Sequence, residues 1–219
     1  MYQLPRPKQR LLVVAFAGLI GFAALLHPGA ATAQVVDLLK AVEPTRDRVG
    51  GEWTVEDGKL VGVGVKGDRS SRLQIPFAPR GEYQVTVTAK KTSPGQSDLL
   101  IGLVGGGRQF FVAVGPKGGG ISANGIVVNE FQVKDESRDF KENVTTTCAV
   151  TRQGVFVWVD GQKFLEYRGD PKRLMLNATS AMPKKDQLFL GIGNDGRWEI
   201  SDITIGPPVG IPDAKPANK

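Results

Sequence analysis

The sequence has one cysteine, Cys148, and one histidine, His27. A single cysteine cannot form an intramolecular disulfide, so the fold has to be stabilised by its hydrophobic core. In the segment VTTTCAV, β alternation places Cys148 on the same side as Val144 and Val150. This pattern favours a buried, small hydrophobic side chain over a reactive thiol.

The N-terminal segment has the pattern of an export signal. Arg6, Lys8 and Arg10 precede an apolar run from Leu11 to Leu26, and Ala31-Thr32-Ala33 supplies the small residues of a cleavage site. The run is shorter than the roughly 20 residues of a membrane-spanning helix. Residues 1–33 are therefore predicted to be a cleaved signal peptide rather than an uncleaved anchor. We therefore expect a secreted, periplasmic or cell-envelope protein, bacterial as readily as eukaryotic, with only transient membrane contact through the signal.

The near-absence of histidine limits the possible chemistry. Because His27 lies inside the predicted signal, the mature chain would contain no histidine. This excludes Ser-His-Asp and Cys-His catalysis and histidine zinc sites. The net charge is +6, half of it from the signal, and basic clusters are limited to Lys90-Lys91 and Lys184-Lys185. We therefore predict no nucleic-acid partner.

Long helical patterns and internal repeats are missing as well. After a lead-in segment, residues 34–43, the pattern is β from 44 to 206, with roughly eleven strands and turns about every 8–12 residues. The predicted fold class is all-β, a two-sheet antiparallel β-sandwich of the jelly-roll type. The proline-rich residues 207–219 are predicted to be a disordered tail.

Turn chemistry sets the expected connections. Asp57-Gly58 and Asp160-Gly161, each between alternating apolar residues, predict hairpins. The strands 98–104 and 109–114 are apolar on both faces, which predicts central positions in a sheet. Gly105-Gly106-Gly107 between them predicts a tight turn rather than a phosphate-binding loop, because no helix follows. A second glycine run at 118–120 is expected to precede a strand that ends near Val133.

The closing segments carry a family resemblance. VFVWVDGQKFLEY (155–167) followed by LFLGIGNDGRWEISDITI (188–205) resembles the last strands of concanavalin A-like lectin/glucanase jelly-roll domains. More narrowly, the chain is similar to the secreted planctomycete 3-keto-disaccharide hydrolase-like family, formerly a domain of unknown function. The segment GEWTVEDGKL (51–60) fits the opening hairpin of such domains. The resemblance covers about residues 44 to 206.

This resemblance implies two packed antiparallel sheets, one of them concave, with sugar-related ligands on the concave side. The chain departs from the hydrolase pattern at two places. Gly193-Asn194-Asp195-Gly196 stands where that family has Q-x-H-G, and Ile200-Ser201-Asp202-Ile203 stands where it has F-R-N-I. The missing histidine and arginine favour binding over cleavage. In addition, no strand presents two acids at i and i+2 as the paired carboxylates of a glycosidase.

Two groups of residues are candidates for carbohydrate binding. Phe156 and Trp158 share one face of a strand, while the valines at 155, 157 and 159 share the other. If the valines enter the core, the two aromatic rings form a platform for a sugar ring. The alternatives are that a loop covers the rings or that the rings themselves lie in the core.

The second group, Asn194, Asp195 and Arg197 beside Trp198, combines hydroxyl-binding groups with an aromatic ring. Its alternative interpretation is turn chemistry. Arg108 and Gln109 form a further candidate pair.

The leading hypothesis is an exported, non-catalytic domain that binds a glycan or a cell-envelope partner. One alternative is a sugar hydrolase or lyase of the 3-keto-disaccharide hydrolase type that uses carboxylates such as Asp98, Glu130 or Asp195. Another is a structural or assembly module. No cofactor is predicted, since no D-x-D-x-D-G spacing supports Ca²⁺, and no metal site is expected.

Overall fold

Alternating apolar residues form the strands of two packed sheets. The structure, a computed structural model, describes residues 34–65, 71–94, 97–123, 139–176, 182–193 and 195–210. The strands are β1 Val36–Asp37, β2 Arg48–Gly50, β3 Glu52–Glu56, β4 Lys59–Val63, β5 Ser71–Gln74, β6 Tyr83–Lys91, β7 Leu99–Gly105, β8 Arg108–Gly115, β9 Gly118–Ser122, β10 Val144–Thr151, β11 Gly154–Val159, β12 Gln162–Arg168, β13 Phe189–Ile192 and β14 Arg197–Gly206. Short helical turns occur at Leu39–Ala41, Pro44–Asp47 and Pro171–Arg173. None of the helices in these ranges is long and apolar enough to cross a membrane.

The strands pair into an eight-stranded and a six-stranded sheet. The first has the order β12-β11-β10-β6-β14-β4-β3, with β1 paired to β14, and the second has the order β2-β5-β13-β7-β8-β9. The strand pairs are antiparallel. The predicted two-sheet antiparallel β-sandwich is therefore confirmed. Because β7 and β8 lie inside the six-stranded sheet, their apolar character on both faces is explained, as predicted.

The hydrophobic core lies between the sheets. On β11 the side chains of Val155, Val157 and Val159 are fully buried in it. Cys148 on β10 is also completely buried, as its alternation predicts, and burial raises the pKa of its thiol to about 12. Alternation along a strand then places the residues between these positions on the outer surface of the eight-stranded sheet.

Both Asp-Gly turns form the predicted hairpins. Asp57 and Asp160 each have φ of 49°, and Gly58 and Gly161 have φ of 75° and 74°. Two left-handed residues in succession match the right-handed twist of the flanking strands. Gly106 and Gly107 also have positive φ, at 58° and 79°, in the predicted tight turn between β7 and β8.

Several boundaries differ from prediction or lie outside the described residues. The lead-in segment contains the strand β1 and a 3₁₀ turn, because Val36 pairs with Ile205 near the end of the last strand. The glycine run 118–120 is itself part of β9. The predicted signal (1–33), the strand end near Val133 and residues 211–219 of the predicted tail lie outside the described residues.

Candidate functional site

The outer surface of the eight-stranded sheet carries an ordered set of hydroxyls and aromatic rings. Thr204, Thr86, Thr147 and Trp158 lie on β14, β6, β10 and β11 and are register partners of one another in that order. Asp202, Thr88 and Thr145 form a second, parallel row. We call the surface formed by Phe156, Trp158 and the threonines at 86, 88, 145, 147 and 204 the threonine–aromatic face.

The two aromatic residues have different roles on this face. Their rings stack with centroids 6.3 Å apart and planes inclined by 24°. Phe156 is only 2% exposed, whereas Trp158 is partly exposed. The buried ring therefore supports the indole from one side, and the indole is the surface that a ligand could reach.

Charged residues of the edge strand hold Phe156 in place. The Arg168 guanidinium lies 5.7 Å from the centroid of the Phe156 ring. Glu166, the register partner of Phe156, forms ion pairs with Arg168 and Lys163. Lys163 is in turn the register partner of Trp158. These contacts fix the aromatic pair at the boundary between a polar edge and the threonine rows.

The threonine hydroxyls bond to one another across the strands. The Thr88 and Thr145 Oγ1 atoms are 3.1 Å apart, and those of Thr86 and Thr147 are 3.4 Å apart. Each hydroxyl has one donor and two acceptor sites, so such a pair keeps capacity for a ligand. Sequence reasoning missed these residues as a site; the signal was the Thr-x-Thr alternation at 86–88 and 145–147.

Within the described residues of the second predicted group, Trp198 does not lie on the surface. Trp198 is 1% exposed, packs edge-on against Phe140 at 5.6 Å, and donates from Nε1 to the Ser97 Oγ at 3.3 Å. Because β14 turns its ring into the core, Trp198 has little surface for the ligand contact that the sequence predicts.

Arg197, next to Trp198, is held by contacts with other residues. Arg197 forms an ion pair with Glu56 at 2.6 Å, and its backbone N–H donates to Ser93 Oγ at 2.8 Å. Asp195 is exposed, and Asn194 lies outside the described residues. Arg197 thus links the start of β14 to the end of β3.

The outer surface of the six-stranded sheet has a different character. Gln74 and Gln109 are buried, and their side chains hold the segment 184–188 against the sheet. Gln109 Nε2 donates to the Lys184 and Gln187 carbonyls at 3.0 and 2.6 Å, and Gln74 Nε2 donates to the Leu188 carbonyl at 3.0 Å. Gln109 therefore has a structural role. Arg108 is exposed, and its Nη1 lies 3.5 Å from Met175 Sδ.

Asp98 is the half-buried carboxylate at one end of this sheet. A Cβ atom added to Gly115 would lie 2.0 Å from Asp98 Oδ1, so the carboxylate occupies the space that this glycine leaves open. The Asp98 carbonyl accepts a hydrogen bond from the Gly193 N–H at 2.9 Å. Burial raises the pKa of Asp98, which favours its neutral form relative to an exposed aspartate. Glu130, a further candidate carboxylate, lies outside the described residues.

A cleft of about 830 Å³ opens at one end of the sandwich, lined in part by Glu82, Arg152, Asp170 and Lys172. Glu82 accepts a hydrogen bond from the Arg152 N–H at 2.6 Å, and Asp170 accepts one from the Lys172 N–H at 2.9 Å. The carboxylates of Glu82 and Asp170 therefore stabilise the local backbone through these hydrogen bonds. Across the described ranges, no three acidic, cysteine or histidine side chains gather where a metal ion could bind.

Comparisons with known proteins identify the fold. No family model matches the sequence, and no curated protein matches it. Among solved structures, the chain is similar to the carbohydrate-binding module CBM66 from Bacillus subtilis, with 9% identity, a TM-score of 0.50, and coverage of 73% of this chain and 93% of that one.

A second similar structure is described among the endo-acting O-glycanases that prominent members of the human gut microbiota express to initiate mucin breakdown. Its identity is 14% and its TM-score 0.51, with coverage of 73% of this chain and 85% of that one. At these identities the likeness concerns the fold alone, a two-sheet antiparallel sandwich of the jelly-roll type.

Proposed function

We propose that this protein binds carbohydrate, without cleaving it, through the threonine–aromatic face. The observation that carries the proposal is the partly exposed ring of Trp158. The buried ring of Phe156 stacks against it and holds it in position. A rigid aromatic ring offers a large contact area and loses little conformational entropy when a ligand binds. The C–H surface of a sugar ring would pack on the indole.

The neighbouring hydroxyls supply the polar half of this recognition. Thr147 is the register partner of Trp158, and Thr86 is the partner of Thr147. Neighbouring strands lie about 4.8 Å apart, so the nearest hydroxyl row begins within one strand spacing of the indole. Sugar hydroxyls both donate and accept hydrogen bonds, and threonine hydroxyls do the same.

The similar structures support a carbohydrate ligand. One is described as a carbohydrate-binding module and the other belongs with enzymes that act on mucin O-glycans. The sequence departures at Gly193–Gly196 favour the binding role. The ligand would be an extracellular glycan or a component of the cell envelope.

A glycan array with the purified protein tests the proposal. We expect saturable binding to at least one glycan class, and loss of that binding in Trp158→Ala. Met175→Ala is the matched control, since Met175 is an exposed apolar residue outside the threonine–aromatic face. A glycan whose binding is unchanged by Trp158→Ala would contradict the proposed site.

A sugar hydrolase or lyase is the second candidate, and the partial burial of the Asp98 carboxylate favours it. A half-buried carboxylate with a raised pKa is suited to donate a proton to a leaving group. A turnover assay with a 3-keto-glucoside tests this candidate. Turnover that disappears in Asp98→Asn and persists in Asp186→Asn, an exposed aspartate in another loop, would establish an enzyme and overturn the non-catalytic proposal.

Export is part of the same proposal, because a glycan-binding protein needs to meet its ligand outside the cytoplasm. The basic residues before Leu11 and the Ala31-Thr32-Ala33 site support it. Intact-mass measurement of the protein from the extracytoplasmic fraction tests it. The expected mature protein begins at Gln34; a protein that keeps Met1 and stays in the cytoplasm would contradict export.

A further inference from the structure

A cleft is lined by Asp37 and Asp202, the register partners of Thr204 and Thr88 at the end of the threonine–aromatic face far from Trp158. This cleft, of about 460 Å³, is lined in part by Asp37, Leu39, Lys40, Val55, Ser201 and Asp202. We call it the Asp202 cleft. Its position follows from the pairing of β1 with β14, since Asp37 is the register partner of Thr204, the last threonine of the row.

The register relations give the length of this surface. Trp158, Thr147, Thr86 and Thr204 lie on four neighbouring strands, separated by three spacings of about 4.8 Å, or about 14 Å in all. The pairing of Asp37 with Thr204 adds a fourth spacing, so the row extends about 19 Å from Trp158 to Asp37. A single sugar ring on the indole would leave most of this surface uncovered.

The Asp202 cleft combines polar groups with an apolar wall. Asp202 enters it directly after an irregularity in β14 between Ile200 and Asp202, which turns its side chain to the same face as Thr88. Ser201 Oγ donates to the Thr88 carbonyl at 3.3 Å and keeps its acceptor sites. Val55, which is 59% exposed, supplies apolar surface to the same cleft.

Asp37 in this cleft already has partners, so Asp202 is the carboxylate there that can accept hydrogen bonds from a ligand. Asp37 is bound to Lys40 by an ion pair of 2.9 Å, and its Oδ1 accepts a hydrogen bond from the Leu39 N–H at 3.1 Å. The pKa of Asp202 is raised, first by burial and then by the nearby charge of Asp37. Ligand hydroxyls that donate to Asp202 would replace the water that burial removes.

We propose that the Asp202 cleft is a second sugar subsite and that the ligand is a linear, uncharged polysaccharide lying across the strands between Trp158 and Asp202. The inference rests on the proposed carbohydrate-binding function and adds the class of ligand. The positions between the two ends are threonines, with Gln84 on one side of them and the ion pair of Lys90 with Glu199 on the other, so the middle of the path itself offers hydrogen bonds rather than charge complementarity. An uncharged chain of several sugar units matches both the length and this chemistry.

Calorimetric titrations with matched disaccharides and hexasaccharides of β-1,4-glucose, β-1,4-mannose and β-1,3-glucose test the inference. For the series that binds, we expect the hexasaccharide to bind at least tenfold more tightly than the disaccharide. Asp202→Asn should weaken hexasaccharide binding about tenfold, the loss of one charge-assisted hydrogen bond, and leave disaccharide binding unchanged. Asp186→Asn, the same chemical change on the other side of the molecule, should change neither.

The outcomes separate the second subsite from the proposed function. Equal affinity for the two chain lengths, or a hexasaccharide affinity that Asp202→Asn leaves unchanged, would overturn the subsite while the function stands. Binding that survives Trp158→Ala would overturn the threonine–aromatic face as the binding site as well. Absence of binding to all three hexasaccharides would overturn the uncharged-polysaccharide inference, and the glycan array then decides the function separately.

Discussion

The indole of Trp158 stacks on the ring of Phe156, with centroids 6.3 Å apart, while the valines on either side point into the core. One ring is buried and the other partly exposed, so the pair forms a supported surface. The mechanical support and the contact surface thus lie on one strand, two residues apart. This relationship leads to separate predictions for the two residues.

Phe156→Leu should lower both stability and affinity. Removing part of a buried ring is expected to reduce the free energy of unfolding by about 1–2 kcal/mol and to leave Trp158 less well supported. Phe189→Leu is the matched control, because Phe189 is fully buried on the six-stranded sheet. Urea unfolding should show similar losses for both variants, whereas glycan titration should show weaker binding only for Phe156→Leu. Equal affinities would mean that Phe156 does not support the indole.

Thr86→Val with Thr147→Val should weaken binding and leave the fold intact. Valine has the shape of threonine without the hydroxyl and suits a strand, so unfolding free energy should change by less than about 1 kcal/mol. Loss of two hydroxyls from the row should reduce glycan affinity by about fivefold to tenfold. Thr54→Val on β3 serves as the control. A double variant that binds as well as the wild type would show that the row takes no part.

Trp198→Phe should destabilise the protein without changing the affinity of the folded molecule. Its ring is buried against Phe140, and the shorter side chain leaves a cavity and removes the hydrogen bond to Ser97. The expected loss is about 2–3 kcal/mol in urea unfolding. A specific loss of glycan affinity at full stability would contradict this prediction and show that Trp198 contributes to binding.

Stability should fall at alkaline pH because of Cys148. Burial raises the pKa of its thiol from 9.0 to about 12. The unfolded chain therefore releases this proton first, and the folded state loses stability as pH rises from about 9 toward 12, by up to about 1.4 kcal/mol per pH unit for one group. Urea unfolding at pH 8 and pH 10.5 should show a steeper loss for the wild type than for Cys148→Ala. Identical losses would show that Cys148 does not contribute.

The local elements of the fold were predictable from the sequence, because they depend on neighbouring residues. The Asp-Gly turns and the burial of Cys148 follow from short-range patterns and are confirmed. The partners of each strand were not predictable in the same way. For example, β6 pairs with β14, more than a hundred residues away, and this pairing creates the threonine rows.

The candidate site was predictable only in part for the same reason. Phe156 and Trp158 could be assigned to one face of a strand, but their separation into a buried and a partly exposed ring depends on the neighbouring strand β12. Trp198 shows the limit most clearly, since its pattern of polar neighbours resembles a surface turn. Packing against Phe140 decides its position, and no local pattern contains that contact.

The most direct test measures glycan binding by the fluorescence of Trp158. Of the three tryptophans, Trp53 is 5% and Trp198 1% exposed, so Trp158 is the ring that a ligand can reach. Titration of the wild-type protein with a glycan selected on the array should give a saturable change in emission that disappears in Trp158→Phe, together with a loss of affinity in Trp158→Ala. Glycan binding of undiminished affinity in Trp158→Ala would contradict the account.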